Sequence, residues 1–146
     1  MKFRFIWVGR TRDKNYRALQ EDYLERLSHF VKCEVVEVRD SNPTEEGQRI
    51  LEKLNQTSVA CLLDVKGKAV SSHDLAGQLE RWQNDGMREI AFIIGGSDGV
   101  SSKVAERAGI VLSLSFLTFT HEMARVVMLE QLYRAYTIIK GFPYQK

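Results

Sequence analysis

Two short stretches, SVACLLD at 58–64 and EIAFII at 89–94, are apolar almost without interruption. Each has the length of a strand rather than a buried helix, and an unbroken apolar run means a strand covered on both faces. Helices must therefore lie above and below those strands. Folds that meet this demand are α/β, with a mainly parallel sheet.

The rest of the chain supplies the missing layers. Lys2 to Val8 alternates in polarity and reads as a strand, and Leu19, Tyr23, Leu24, Leu27 and Phe30 recur at helical spacing from Tyr16 onward. CEVVEVR (33–39) is a second strand, with Cys33, Val35 and Glu37 on one face. Asn42-Pro43 opens a helix whose inner side is Ile50, Leu51 and Leu54. VKGK (65–68) predicts a turn after the third strand. Ser71 or Ser72 then caps a helix holding Leu75, Leu79 and Trp82, which stops at Gly86. Beyond the fourth strand, Ser101 and Ser102 cap a short helix to Gly109, and IVLSLS (110–115) is a fifth strand. A long helix runs from about His121 to Ile139. The expectation is one α/β domain over 1–146, a mainly parallel sheet flanked by helices. In such a fold the loops that follow the strands gather at one edge, where ligands bind. Three of them here are DVKGK, GGSDG and SFLTFTH.

Composition excludes several classes of function. Cys33 and Cys61 stand far apart with no histidine at ligand spacing, so the pattern predicts reduced core thiols and no metal site. Lys2 and Arg4 interrupt the apolar N-terminus, which lacks a signal-peptide core, and no run reaches membrane-spanning length. A cytoplasmic protein is expected. The net charge of +2 permits a polyanionic partner without requiring one.

GGSDG (95–99) invites a dinucleotide reading and fails it. The spacing is GGxxG, the loop follows the fourth strand rather than the first, and residues 107–120 hold no acid to bind a ribose. A bare turn and a ligand loop both use the freedom of glycine, and both readings stand. His29 and His73 read as structural or solvated. His121 opens the last helix directly behind the fifth strand, where a cap and a chemical role are equally open. The last helix is apolar over more than one stripe, from Met123 through Ile139; a central buried helix is one reading, and in a chain with four other helices on the sheet the expectation is a second apolar face meeting another subunit. Arg125 and Arg134 punctuate it, Glu130 standing one turn before Arg134; surface ion pairing comes first and anion binding second. Arg10, Arg12, Lys14 and Arg17 cluster in the first loop, and Lys140 and Lys146 flank Tyr144. Phosphate contact is a second reading for these, after plain solvated surface.

Taken together, LLDVKGKAVSSHDLA, IAFIIGGSDGVS, LSLSFLTFTHEMARVVMLEQLYRAYTI and the terminal PY resemble the small SPOUT methyltransferases, in particular the RlmH-type ribosomal RNA enzymes. The likeness spans the chain from Val8-Gly9 to Pro143-Tyr144. It implies a C-terminal trefoil knot, S-adenosylmethionine as cofactor and a homodimer. It also implies N3 methylation of a pseudouridine in the intersubunit stem-loop of 23S ribosomal RNA, on the large subunit or the assembled ribosome. Carried over residue by residue, cofactor contacts fall at Leu63, at Gly95 and Gly96, and along Ser115, Phe116, Leu117, Thr118, Phe119 and Thr120. Arg125 or Arg134 would steady the developing anion, and His121 or Tyr144 would help move the proton. Two departures stand out. Thr120-His121-Glu122 replaces the usual Pro-His-Gln, and Phe142 and Gln145 replace two tail histidines. They keep open another RNA base as target, or a ribosome-binding dimer without catalysis.

Overall fold

The computed structural model describes residues 1–144; Gln145 and Lys146 lie outside the described residues, and with them the sequence reading of the terminal lysine. The elements in order are β1 (Lys2–Val8), α1 (Lys14–Ser28), β2 (Lys32–Val38), α2 (Pro43–Lys53) and β3 (Val59–Ala69). There follow α3 (Ser72–Asn84), β4 (Glu89–Ile94), α4 (Ser102–Arg107), β5 (Ile110–Ser113) and α5 (His121–Lys140). The five strands form one parallel sheet in the order β2-β1-β4-β3-β5. The apolar run at 89–94 sits at its centre, as a strand buried on both faces should.

Period-two alternation sorts the strand side chains between two cores. Phe3, Phe5, Trp7, Ile90, Phe92 and Ile94 face α1, α3 and α5, meeting Leu27, Leu79 and Leu129. Ile6, Val8, Ala91 and Ile93 face the opposite way, toward Ile50 of α2 and Val104 of α4. Crossovers toward the β2 edge thus run on one face and those toward β5 on the other, which keeps every parallel connection of one hand. Among the described residues no helix is long and apolar enough to cross a membrane.

The helix ends follow their capping chemistry. Asp13 accepts from the amides of Asn15 and Tyr16 at 2.8 and 3.1 Å to start α1. Ser71 and Asp74 form a reciprocal capping box at α3. Ser101 precedes α4 without a side-chain cap bond, so the expected serine cap there is absent.

One expected element is overturned. VKGK is not a turn: β3 continues to Ala69, and both Leu63 and Lys68 pair with Leu112 across a bulge. Glycine between lysines reads locally as a turn, but pairing with β5 resumes beyond it and holds the segment extended. At Gly67 the two backbones meet so closely that a Cβ would lie 2.7 Å from the Val111 carbonyl carbon. Only glycine fits that approach.

Much of the apolar width of α5 is used within one copy. The helix lies on the sheet between α1 and α3, burying Met128, Leu129, Leu132, Ala135 and Tyr136. Exposed apolar surface collects instead just before it and in its first turn, at Phe116 (83 % exposed), Leu117 (76 %), Phe119 and Met123.

Candidate functional site

The bulge of β3 and the ends of β4 and β5 line an open cavity of about 600 Å³. Its walls come from three segments. Leu63, Asp64 and Val65 enter from the β3 bulge, with Asp64 Oδ1 accepting from the Lys66 amide at 2.8 Å. Gly95, Gly96 and Gly99 come from the loop after β4, where Gly99 takes φ +83° and its amide reaches the Gly96 carbonyl at 3.1 Å. Ser115, Leu117, Thr118, Phe119 and Thr120 come from the loop after β5, and His121 and Ala124 from the first turn of α5.

The turn and the wall are one piece of backbone. A Cβ on Gly95 would sit 2.6 Å from Val100 Cγ1, and one on Gly96 would press Val8 Cγ1 at 3.3 Å and the Glu46 carboxylate at 3.4 Å. A side chain is blocked at Gly95 and crowded at Gly96 by the neighbours behind the loop, so at these two positions the backbone meets the cavity without a side chain in between. The β5–α5 loop is held by its own short bonds. Ser113 Oγ donates to the Ser115 carbonyl at 2.9 Å, the Leu117 amide donates to Ser115 Oγ at 3.0 Å, and the Met123 amide donates to Thr120 Oγ1 at 3.3 Å.

Of the residues expected to touch the cofactor, Leu63, Gly95, Gly96, Ser115, Leu117, Thr118, Phe119 and Thr120 line the cavity, while Phe116 points outward. His121 is the one proposed chemical group on that lining. Arg125, read first as a surface residue, is fully buried. Its guanidinium lies 4.9 Å from the Trp7 ring centre, and it donates to the Val8 carbonyl at 2.5 Å and to Thr11 Oγ1 at 3.0 Å. Desolvation holds its pKa down to about 10, partly offset by Glu122 and Glu37. Arg134 makes the expected ion pair with Glu130 at 2.5 Å.

Tyr144 is seated on the seam of α1 and α5. Its hydroxyl is 3.2 Å from that of Tyr23, its ring stands edge-on to Tyr133 at 4.8 Å, and the Arg134 guanidinium lies 5.3 Å from its centre. Burial, first, and the Tyr23 bond, second, raise its pKa. From Ala124 at the cavity to Tyr133 is about 14 Å along the helix at 1.5 Å per residue. Tyr144 therefore sits well away from its own cavity.

Sequence reasoning does not single out Asp64, the carboxylate among the lining residues. The signal is its position at the end of an apolar strand, where a charged residue marks the ligand edge. No group of three or more His, Cys, Asp or Glu side chains able to hold a metal ion occurs among the described residues.

The sequence matches, over residues 1–145, a family described as "Predicted SPOUT methyltransferase". It is 44 % identical to a protein named ribosomal RNA large subunit methyltransferase H from Gloeobacter violaceus, covering 99 % of this chain and 98 % of that one. A protein of the same name from Halothermothrix orenii is 38 % identical over the full length of both. Among solved structures, a methylase-family protein from Haemophilus influenzae superposes with a TM-score of 0.61 at 10 % identity, covering 99 % of this chain and 70 % of that one. That last likeness is one of fold.

Proposed function

The chain belongs to the SPOUT methyltransferase family, and on that premise we propose that it transfers a methyl group from S-adenosylmethionine to N3 of a pseudouridine. The target is the intersubunit stem-loop of 23S ribosomal RNA, in the large subunit or the assembled ribosome. The observation that carries this reading is the 600 Å³ cavity at the carboxyl edge of β3, β4 and β5, with His121 on its rim.

The cavity suits the cofactor. Its volume falls within the range of small-molecule sites, roughly 300–1,000 Å³, and its wall is mostly apolar with a few polar groups. The exposed backbone of Gly95, Gly96 and the 115–120 loop offers amides and carbonyls to a purine, while Asp64 offers negative charge to a cationic ligand. When bound, S-adenosylmethionine supplies an activated methyl group on a sulfonium. What remains for the protein is orientation, exclusion of water and removal of the imide proton from the base. His121, on the cavity rim, is the residue this reading assigns to accept that proton.

Tyr144 and Arg134 stand too far from their own cavity to take part there. Their roles require the tail of a second copy, so the reading includes a homodimer, with Phe116, Leu117, Phe119 and Met123 as apolar surface for the partner. The trefoil knot of the C-terminal part belongs to the same reading. Arg125 acts through β1 and its loop rather than on the base.

Two measurements test the proposal. Calorimetry with S-adenosylmethionine is expected to show binding at micromolar concentration, and no binding leaves only a ribosome-binding module. Primer extension across the stem-loop, using ribosomes from a deletion strain incubated with the protein and cofactor, is expected to stop at the pseudouridine. A stop elsewhere reassigns the target base.

A further inference from the structure

We propose that the loop between β1 and α1, Gly9 to Asp13, is the element that grips RNA phosphates, and that Glu122 is the residue that positions it. The inference rests on the RNA reading above and adds where the polyanion is held.

The loop stands at the rim of the cavity. β1 is the neighbour of β4, so its end emerges beside the glycine loop, and Val8 packs behind Gly96. From there the chain presents Arg10, Arg12 and Lys14, all exposed. Arg12 makes a loose contact to Asp40 at 3.9 Å with both side chains largely in water, which leaves its guanidinium available for exchange. Guanidinium groups take phosphate oxygens in pairs, and a rim of them suits the backbone of an RNA stem.

Four of the five residues of this exposed loop, Gly9, Thr11, Arg12 and Asp13, are held by hydrogen bonds. The Gly9 amide donates to the Val38 carbonyl at 2.7 Å. Arg125 donates to the Val8 carbonyl and to Thr11 Oγ1, Thr11 Oγ1 donates to Gln20 Oε1 at 2.7 Å, and Arg17 donates to the Thr11 carbonyl at 2.7 Å. Glu122 completes the set: its Oε1 accepts the amides of both Arg12 and Asp13, at 3.2 and 3.1 Å. Burying Arg125 with no carboxylate in contact is costly, and what the fold gains there is the shape of this loop. A cationic loop fixed before binding loses less entropy on meeting its partner.

Glu122 follows His121 directly, so one turn of α5 both lines the cavity and sets the basic loop. Turned onto two amides, its oxygen is directed at the loop backbone rather than at approaching phosphates. Glutamine carries the same acceptor oxygen and can take the same two amides, so the positioning role is assigned to the acceptor.

The test is equilibrium binding to ribosomes from a deletion strain over a series of salt concentrations, with S-adenosylmethionine calorimetry on the same proteins. Arg10→Ala with Arg12→Ala is expected to weaken ribosome binding about tenfold and to lower the log–log salt slope by about 2, one for each phosphate that the variant no longer neutralises. Glu122→Ala should weaken binding to a similar extent, add little in the Arg10→Ala/Arg12→Ala background, and leave cofactor affinity unchanged. Glu122→Gln should bind like the parent protein. The proposal fails if Glu122→Ala keeps full ribosome affinity, if its loss adds in full to that of the arginines, or if the salt slope does not move. A parent protein that binds ribosomes with these dependences but takes no cofactor overturns the methyltransferase reading and leaves the loop. One that binds cofactor and no ribosome overturns the loop.

Discussion

Gly96 shows how little room a single residue has at this site. Its backbone faces the cavity, while the space a Cβ would need is bounded by Val8 and Glu46. Gly96→Val is expected to cost about 1–3 kcal/mol of stability through overpacking, to remain folded, and to lose at least about tenfold in cofactor affinity. A thermal melt with calorimetry checks both parts, and unchanged affinity would mean that the loop is only a turn. Residues of this kind are legible in sequence because glycine announces itself. Arg125 is not: its burial depends on Trp7 and Thr11, the latter 114 positions away, and a charge on a helix reads locally as surface. Glu122 is hidden for the same reason, its two partners being backbone amides of the first loop.

Elements are legible where the periodicity is strong and their neighbours are consistent with it. The runs at 58–64 and 89–94 announce a parallel sheet because apolar residues occupy both faces, and each long helix has its cap. VKGK misleads because a bulge and a turn use the same residues, and only pairing with β5 tells them apart. The bulge carries Asp64 and Val65 into the cavity wall, so DVKGK does reach the ligand edge, as a bulged strand rather than as a loop. Gly67→Ala should cost about 2 kcal/mol or more, since the added Cβ meets the backbone of Val111 and Leu112, which cannot swing aside. Urea denaturation measures it. A loss below about 0.5 kcal/mol would show that β3 and β5 do not approach so closely.

For the whole molecule, the buried acids set an alkaline limit. Burial pushes the Cys33 and Cys61 thiols from 9.0 up to about 12, and Tyr136 from 10.0 to about 12. Unfolded, these groups shed protons from about pH 9, whereas the native protein holds them; it therefore binds more protons, and stability falls between pH 9 and 12. Arg125 works the other way. Desolvation lowers it from 12.5 to about 10, so above pH 10 the native state loses a proton first and part of the fall is offset. With Tyr144 shifted the same way as the thiols and Tyr136, these groups outweigh Arg125 and leave a net loss. The urea midpoint should drop from pH 8 to pH 11, less steeply in Cys33→Ser and Cys61→Ala variants, and a flat profile would contradict it. Folded protein at pH 8 should also resist thiol alkylation.

The packing of Phe3, Phe5 and Trp7 against Met128, Leu129, Leu132 and Tyr136 has a consequence for synthesis. β1 is thus covered in part by α5, which lies more than a hundred residues further along the chain. At about 5–20 residues per second, roughly 6 to 25 seconds separate the emergence of the two. Throughout that interval three aromatic side chains of β1 wait without their cover. Until α5 is made, α1 and α3 are the only helices that can cover this face of β1, so the core stays incomplete.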